Sequence, residues 1–277
     1  MKYTLLSILF FAIAFSCEAQ TSDQTKDYIN LRCSYIFKFK IDSLSDATRV
    51  DNQLLEISPK LSRYTSKGQL LADSLLTVFS SMPFNQASAD FYTQQRSRLP
   101  ANRTSFMIYK FKPSGLIRFY DKIAINGFFY EENSTIFNWK ILGEKSVIAG
   151  YNCQMATTVF AGRVWEVWFT RDIPVSDGPY KFSGLPGLII KASDSKSNFI
   201  FELASLSKPK ENKALDLPQS SKYTKTTRQD FRKGREAERS NGLSQMVNSG
   251  EITFNKDKAQ SIRNSQSVKP FNPIEIK

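Results

Sequence analysis

The chain has 277 residues, of which 41% are hydrophobic and 13% aromatic, and this composition excludes a disordered polypeptide. It contains no histidine, so Ser-His-Asp and Cys-His catalysis within the chain and an ordinary zinc centre are excluded. The formal net charge of +12 favours an acidic partner such as membrane head groups, whereas nucleic acid is not expected because the basic segment 233–239 lacks stacking aromatics.

The first nineteen residues have the layout of a secretory signal. A single lysine precedes an apolar run over 5–15, and small residues follow it. Cleavage after Ala19 starts the mature chain at residue 20; in the alternative, Cys17 ends a poor lipobox and carries a lipid. We therefore predict an exported protein of the periplasm or cell surface, with a lipid-anchored outer-membrane form as the alternative.

The predicted export affects the expected oxidation state of the cysteines. Two remain once the signal segment is removed, Cys33 and Cys153. An even count in an oxidising compartment predicts a disulfide, which would close a loop of about 120 residues. Two separate buried thiols are the alternative.

In chain order, the first elements are predicted from the spacing of apolar residues. Residues 32–42 alternate between apolar and polar side chains, which predicts a strand with one buried face. Residues 52–66 suggest two strands broken at Pro59. Residues 67–82 carry leucines at helical spacing and predict a short amphipathic helix, whereas the polar residues 83–102 predict a loop.

A dense β region follows. The tripeptide Pro113-Ser114-Gly115 separates two apolar runs, and Asn126-Gly127 is the strongest short hairpin signal. Ala161-Gly162 marks a further hairpin. Its second strand, 163–170, carries large apolar side chains on both faces, and we therefore expect both faces to be covered.

Residues 178–190, GPYKFSGLPGLII, place a glycine-flanked proline before a strongly apolar run. Pro186-Gly187 fits a type II turn in which the glycine supplies the positive φ, and the turn would lead into a buried strand. The alternative is a shaped loop that touches a ligand or partner. The candidates for the motif or for binding are Pro179, Phe182, Gly184, Leu185, Pro186 and Gly187, together with Trp165 and Trp168.

Eight or more short strands with frequent turns predict a mainly β, α+β fold, with a curved antiparallel sheet or incomplete barrel. One β-rich domain is expected over 28–207. Residues 208–277 hold much of the excess positive charge and predict a basic appendage, helical and then extended, packed on the same domain.

The hexapeptide GLPGLI at 184–189 and the preceding VWFTRDIP at 167–174 resemble the GLPGLI, or Porph_ging, family of exported bacterial proteins. The resemblance is strongest over 138–194 and extends loosely over nearly the whole mature chain. The family is largely uncharacterised, so the resemblance implies no catalytic residue. GYNCQMA at 150–156 is also similar to periplasmic lipoprotein-carrier proteins, which implies an incomplete barrel that holds acyl chains.

Together these features predict a non-enzymatic envelope protein that binds an apolar ligand or an outer-membrane partner, with the loop 178–188 near the cavity mouth. The motivating feature is an aromatic strand beside a rigid loop. One alternative is a hydrolase that uses the carboxylates Glu166, Asp172 and Asp177, although these more simply serve turns and ion pairs. Another is a structural accessory of a transport or secretion complex. No cofactor and no metal site is predicted.

Overall fold

The computed structural model describes residues 27–42, 44–210, 212–248 and 272–276, with the backbone alone from 240 to 248. The predicted signal segment 1–19, with the lipidation alternative at Cys17, lies outside the described residues.

Twelve strands form one mixed sheet in the described part of the chain. They are β1 Leu31–Lys40, β2 Thr48–Ile57, β3 Leu61–Ser66, β4 Met107–Phe111, β5 Leu116–Ile123, β6 Asn126–Asn133, β7 Lys140–Ile148, β8 Tyr151–Phe160, β9 Arg163–Thr170, β10 Leu188–Asp194, β11 Phe199–Ser207 and β12 Tyr223–Lys225. Three helices accompany the sheet: α1 Lys67–Ser80, α2 Gln86–Arg98 and α3 Arg228–Asn248.

The strand order shows how the sheet is assembled. It runs β12-β6-β5-β4-β3-β2-β1-β11-β10-β9-β8-β7, so two meanders, β1–β6 and β7–β11, meet where β1 pairs with β11. Every neighbouring pair is antiparallel except β12 and β6, which are parallel. The mainly β expectation is confirmed, but the sheet is open and mixed, because the short β12 returns to the edge beside β6 after a long connection.

Aromatic side chains make up much of the core that packs against the sheet. On β1 the alternation places Cys33, Tyr35, Phe37 and Phe39 in the core. Phe37 stacks on Phe201 of the neighbouring β11 with ring centroids 4.3 Å apart. Aromatic contacts at this spacing add to the burial of area, and they fix the joint between the two meanders.

Strand β9 is covered on one face rather than on two. Trp165, Val167 and Phe169 are fully buried, whereas Val164 on the opposite face is exposed and Trp168 is half-buried. The expectation that both faces are covered is therefore wrong. Large apolar side chains on an outer face do not require a second layer.

The predicted loop at 83–102 contains the helix α2. The Asn85 side chain accepts a hydrogen bond from the backbone N–H of Ser88, whose hydroxyl accepts one from the N–H of Asn85. This reciprocal capping satisfies two free donors at the start of the helix. Ser88 is its buried residue, so the apolar periodicity that identifies a helix in the sequence is missing.

The Asn126-Gly127 signal identified the right hairpin but the wrong turn. The chain reverses two residues earlier, where Ala124 has a φ of +52°, and both signal residues lie in β6. Gly127 is needed for a different reason: a Cβ there would lie 2.4 Å from the carbonyl oxygen of Lys222, which precedes β12.

The cysteines are free thiols, so the predicted disulfide between Cys33 and Cys153 is not formed in this structure. Both are buried, but they lie on β1 and β8, which three other strands separate. Four inter-strand steps of about 4.8 Å exceed the roughly 7 Å between Cα atoms that a disulfide can span.

We expect both thiols to resist alkylation in the folded protein and to react once it unfolds. Burial above all raises the pKa of Cys33, to about 12, so its thiol stays protonated at neutral pH. Intact mass after alkylation, with and without prior reduction, measures this. A melting temperature that falls on adding reductant would contradict the free-thiol state.

The segment after residue 208 contributes directly to the body of the protein. Its strand β12 joins the sheet and α3 packs against β5 and β6. Residues 272–276, called the strap below, lie on the body and bond to it: the backbone N–H of Asn272 donates to the carbonyl of Ile41 over 2.8 Å. The domain boundary at 207 stays a prediction.

Candidate functional site

The GLPGLI turn has a geometry different from the predicted type II turn. The positive φ, +96°, is at Gly184, and Gly187 is not in the left-handed region. The N–H of Gly187 donates to the carbonyl of Leu185 over 2.8 Å, which closes a three-residue turn centred on Pro186. A glycine is needed at 187 for a steric reason instead, since a Cβ there would lie 2.0 Å from the carbonyl oxygen of Thr170.

Most of the predicted motif side chains anchor the loop in the core. Pro179, Phe182 and Leu185 are buried, whereas Gly184 and Pro186 are exposed. Phe182 packs edge-on against Trp165 with ring centroids 4.8 Å apart. None of the eight predicted binding candidates lines the main cleft described below.

The loop that leads to this turn is wrapped around a buried lysine of β4. The Lys110 Nζ donates to the carbonyl oxygens of Gly178, Tyr180 and Phe182, over 2.6, 3.2 and 3.2 Å. It also pairs with the Asp177 carboxylate at 2.5 Å, with both side chains at least 95% buried. Burial lowers the pKa of Lys110 even though Asp177 favours its charged form.

A second buried lysine lies on the loop itself. Lys181 is fully buried and forms ion pairs with Glu132 of β6 and, at 2.7 Å, with Glu275 of the strap. Its Nζ also donates to the hydroxyl of Tyr130 over 2.9 Å. The ring of Tyr130 lies 4.7 Å from the same nitrogen, so the ammonium is held by two carboxylates and an aromatic face.

Glu275 ties the strap to the loop. Its carboxylate accepts a hydrogen bond from the hydroxyl of Tyr180 at 2.6 Å and one from Arg228 of α3 at 2.8 Å. Burial alone would raise the pKa of Glu275, but Lys181 and Arg228 outweigh burial and lower it.

This cluster gives the fold a defined response to acid. A carboxylate whose pKa is lowered on folding stabilises the fold above its unfolded pKa, and this contribution is lost as the pH falls through the folded value. We expect Glu275→Gln to cost about 2 kcal/mol at neutral pH. The difference from the unchanged protein should shrink below the ordinary glutamate pKa of 4.5. Urea unfolding at several pH values measures it, and a difference that grows on acidification would contradict the sign.

A single signal in the sequence marks these buried charges. Each stands among apolar or aromatic neighbours at a position that the pattern assigns to the interior. Lys110 shares the inward phase of Ile108 on β4, Lys181 is flanked by two aromatics, and Glu275 is flanked by two isoleucines. The sequence reasoning missed them because it treated charged residues as surface residues.

A cleft of about 450 Å³ opens next to this cluster. One wall of the cleft is aromatic, and the other is basic and belongs to α3. The strap and the carboxyl of Asp121 complete the lining. The aromatic wall consists of Phe106, Phe119, Tyr130, Tyr180 and Phe231. The basic wall consists of Arg232, Arg235 and Arg239, with Glu236 among them.

Asp121 is one of two buried carboxyls that line the cleft, and Glu275 is the other. Asp121 is 6% exposed and lies on β5. One of its oxygens accepts hydrogen bonds from the Ser105 hydroxyl at 2.5 Å and from the N–H of Lys122 at 2.8 Å. Burial raises the pKa of Asp121, and Arg235 opposes this rise only in part.

The three carboxylates predicted for a hydrolase do not converge. Glu166 is half-buried on the outer face of β9, and Asp172 is exposed. Asp177 is bound in the core to Lys110. Arg163, at the start of the same strand as Glu166, pairs with Asp194 at 2.9 Å.

Two further properties concern the described residues only. Within 27–42, 44–210, 212–248 and 272–276, no helix has the length and apolar character to cross a membrane. The same ranges hold no group of three or more cysteine or acidic side chains placed to bind a metal ion.

Residues 162–191, which span β9, the motif loop and the start of β10, match the model of a family described as "Protein of unknown function (Porph_ging)". The resemblance seen in the sequence is thereby confirmed over this segment. No curated protein matches the chain.

The fold is similar to that in two crystal forms of PNGF-II. The TM-scores are 0.50 and 0.51 at 16% and 15% identity, over 76% of this chain and 34% and 33% of the other. The chain thus spans about a third of the length of these structures, and the likeness concerns the fold alone. The resemblance to lipoprotein carriers stays a prediction.

Proposed function

Since this chain carries the Porph_ging segment and that family has no known function, we propose a function from the cleft. The protein is an exported, non-enzymatic binding protein of the cell envelope. Its ligand is an apolar molecule with one anionic group. The single observation that carries this proposal is the cleft between the aromatic wall and the basic wall.

The dimensions and the chemistry of the cleft support this ligand class. A volume of about 450 Å³ lies within the roughly 300–1,000 Å³ common for small-molecule sites. The aromatic rings offer an apolar surface. Arg235 donates to the Lys122 carbonyl and to Glu238 through one of its three guanidinium nitrogens, and a planar guanidinium suits a carboxylate, sulfonate or phosphate. Tyr180 of the loop 178–188 lines the cleft, and this supports a place for that loop beside the binding site.

Ligand binding is tested with the dye anilinonaphthalene sulfonate, which is both apolar and anionic, and with oleate as its competitor. We expect Arg235→Glu to weaken dye binding on the order of tenfold, because a guanidinium that faces the anion is replaced by a like charge. Dye fluorescence titration measures the dissociation constant.

The matched control is Lys233→Glu on the same helix. Lys233 is exposed and does not line the cleft, yet the change in net charge is identical. Equal weakening by both variants would show that the dye responds to overall charge, and no binding by the unchanged protein would contradict the proposal.

The other two functions have less support. For a carboxylate-dependent hydrolase, the candidates in the cleft are Asp121, Glu236 and Glu275, and burial raises the pKa of Asp121. Turnover abolished by Asp121→Asn with folding intact would favour that function over binding. For a structural accessory, the test is a stable complex recovered from envelope membranes. A complex that Arg235→Glu leaves unchanged would show that the protein acts through a surface other than the cleft.

A further inference from the structure

Helices α1 and α2 form a hairpin that the rest of the molecule hardly covers. Each helix has one buried residue, Gly68 in α1 and Ser88 in α2. Large apolar side chains are nevertheless exposed on it, and Phe84 at its tip is 94% exposed. The exposed set, called the hairpin patch below, is Leu71, Leu76, Val78, Met82 and Phe84.

The hairpin has a defined structure, so the exposure does not come from an unformed loop. Phe79 of α1 and Tyr92 of α2 pack with ring centroids 4.9 Å apart. At the base, the amide of Asn102 donates to the side chain of Gln69 over 2.7 Å. The patch is therefore presented on two helices that are braced against each other.

The part of the hairpin that carries four of the five patch residues, all except Leu71, is uncharged. Residues 74–89 contain no Asp, Glu, Lys or Arg, although the chain as a whole has a net charge of +12. Exposed apolar patches of this kind mark contacts with proteins or membranes. An uncharged apolar tip on a basic protein suits a surface that is anionic outside and apolar beneath.

We propose that the hairpin patch docks the protein on an anionic lipid surface, with Met82 and Phe84 entering the boundary between head groups and acyl chains. A second copy of the chain fits less well. The five side chains offer on the order of 500 Å², against about 800 Å² per partner in a standard protein interface. A lipid surface needs no such area, because each inserted apolar group adds its own transfer free energy.

The test is co-sedimentation with vesicles. The protein is purified in its exported form, because an uncleaved apolar N-terminus would itself bind lipid. It is mixed with vesicles of phosphatidylcholine and phosphatidylglycerol in equal parts, and with vesicles of phosphatidylcholine alone. We expect binding to the mixed vesicles, and on the order of tenfold weaker binding for Phe84→Asp.

The matched control is Leu44→Asp, since Leu44 is 83% exposed and lies outside the hairpin, in the loop after β1. Phe84→Asp and Leu44→Asp make the same change in charge at exposed apolar positions, so neither is expected to affect folding. Loss of vesicle binding in Phe84→Asp but not in Leu44→Asp supports the proposal. Equal loss in both, no binding to mixed vesicles, or self-association abolished by Phe84→Asp would overturn it.

Discussion

Replacing Lys110 with methionine is expected to lower the free energy of unfolding by about 3–5 kcal/mol, the usual cost of leaving a buried ion pair with one charge. The Asp177 carboxylate would lose its partner inside the core. The carbonyls of Gly178, Tyr180 and Phe182 would lose the donor they share. Urea unfolding followed by tryptophan fluorescence measures the change.

The double variant Lys110→Met, Asp177→Leu separates the two roles of the lysine. Removing both charges restores the charge balance, but the three carbonyls still lack their donor, so we expect only partial recovery. Asp177→Asn keeps the lysine and its three carbonyl bonds and should cost less than Lys110→Met. Full recovery in the double variant would show that the lysine serves the ion pair alone and does not hold the loop.

Changing Gly187 to alanine is expected to cost about 3 kcal/mol or more, because the added Cβ meets backbone that cannot rotate away. The oxygen it meets, 2.0 Å away, is the Thr170 carbonyl at the end of β9. Either β9 or the start of β10 must move, and both lie in the core of the sheet. Thermal and urea unfolding measure the loss.

Two other glycines are controls for this prediction. Gly184→Ala has room, with the nearest atom 3.6 Å away, but its φ of +96° is unfavourable for alanine, so we expect about 1–2 kcal/mol. Gly143→Ala meets no atom within 4 Å and should be nearly neutral. If Gly184→Ala were costlier than Gly187→Ala, the positive φ rather than the close approach would govern the motif.

The strands could be predicted from the sequence because their signal is local. The alternation along β1 follows directly from period-two spacing, and the hairpin at Ala161-Gly162 is confirmed, with both residues at positive φ. Helix α2 could not be predicted in the same way, since its start depends on capping by Asn85 rather than on an apolar stripe.

The cleft could not be predicted, because distant segments assemble it. Tyr180 and Glu275 bond to each other although they are 95 positions apart, and the aromatic wall combines residues of β5, β6, the motif loop and α3. The motif residues suggested a binding loop, yet the shape of the loop is explained by packing at Gly187 and by the hydrogen bonds that Lys110 donates to its carbonyls. The sequence did contain one signal for the buried charges, namely a charged residue at a strand position whose side chain should point into the core.

The joint between β1 and β11 has a kinetic consequence. Lys38 and Glu202 pair across it although 164 positions separate them. Within the meanders most neighbouring strands follow each other closely in the chain, apart from β3 and β4, which the helical hairpin separates, and β9 and β10, which the motif loop separates. Each meander can form early from neighbouring segments, but joining them pays the loop-closure entropy of most of the chain. Substitutions at Phe37 or Phe201 should therefore slow refolding more than equally destabilising changes within a hairpin.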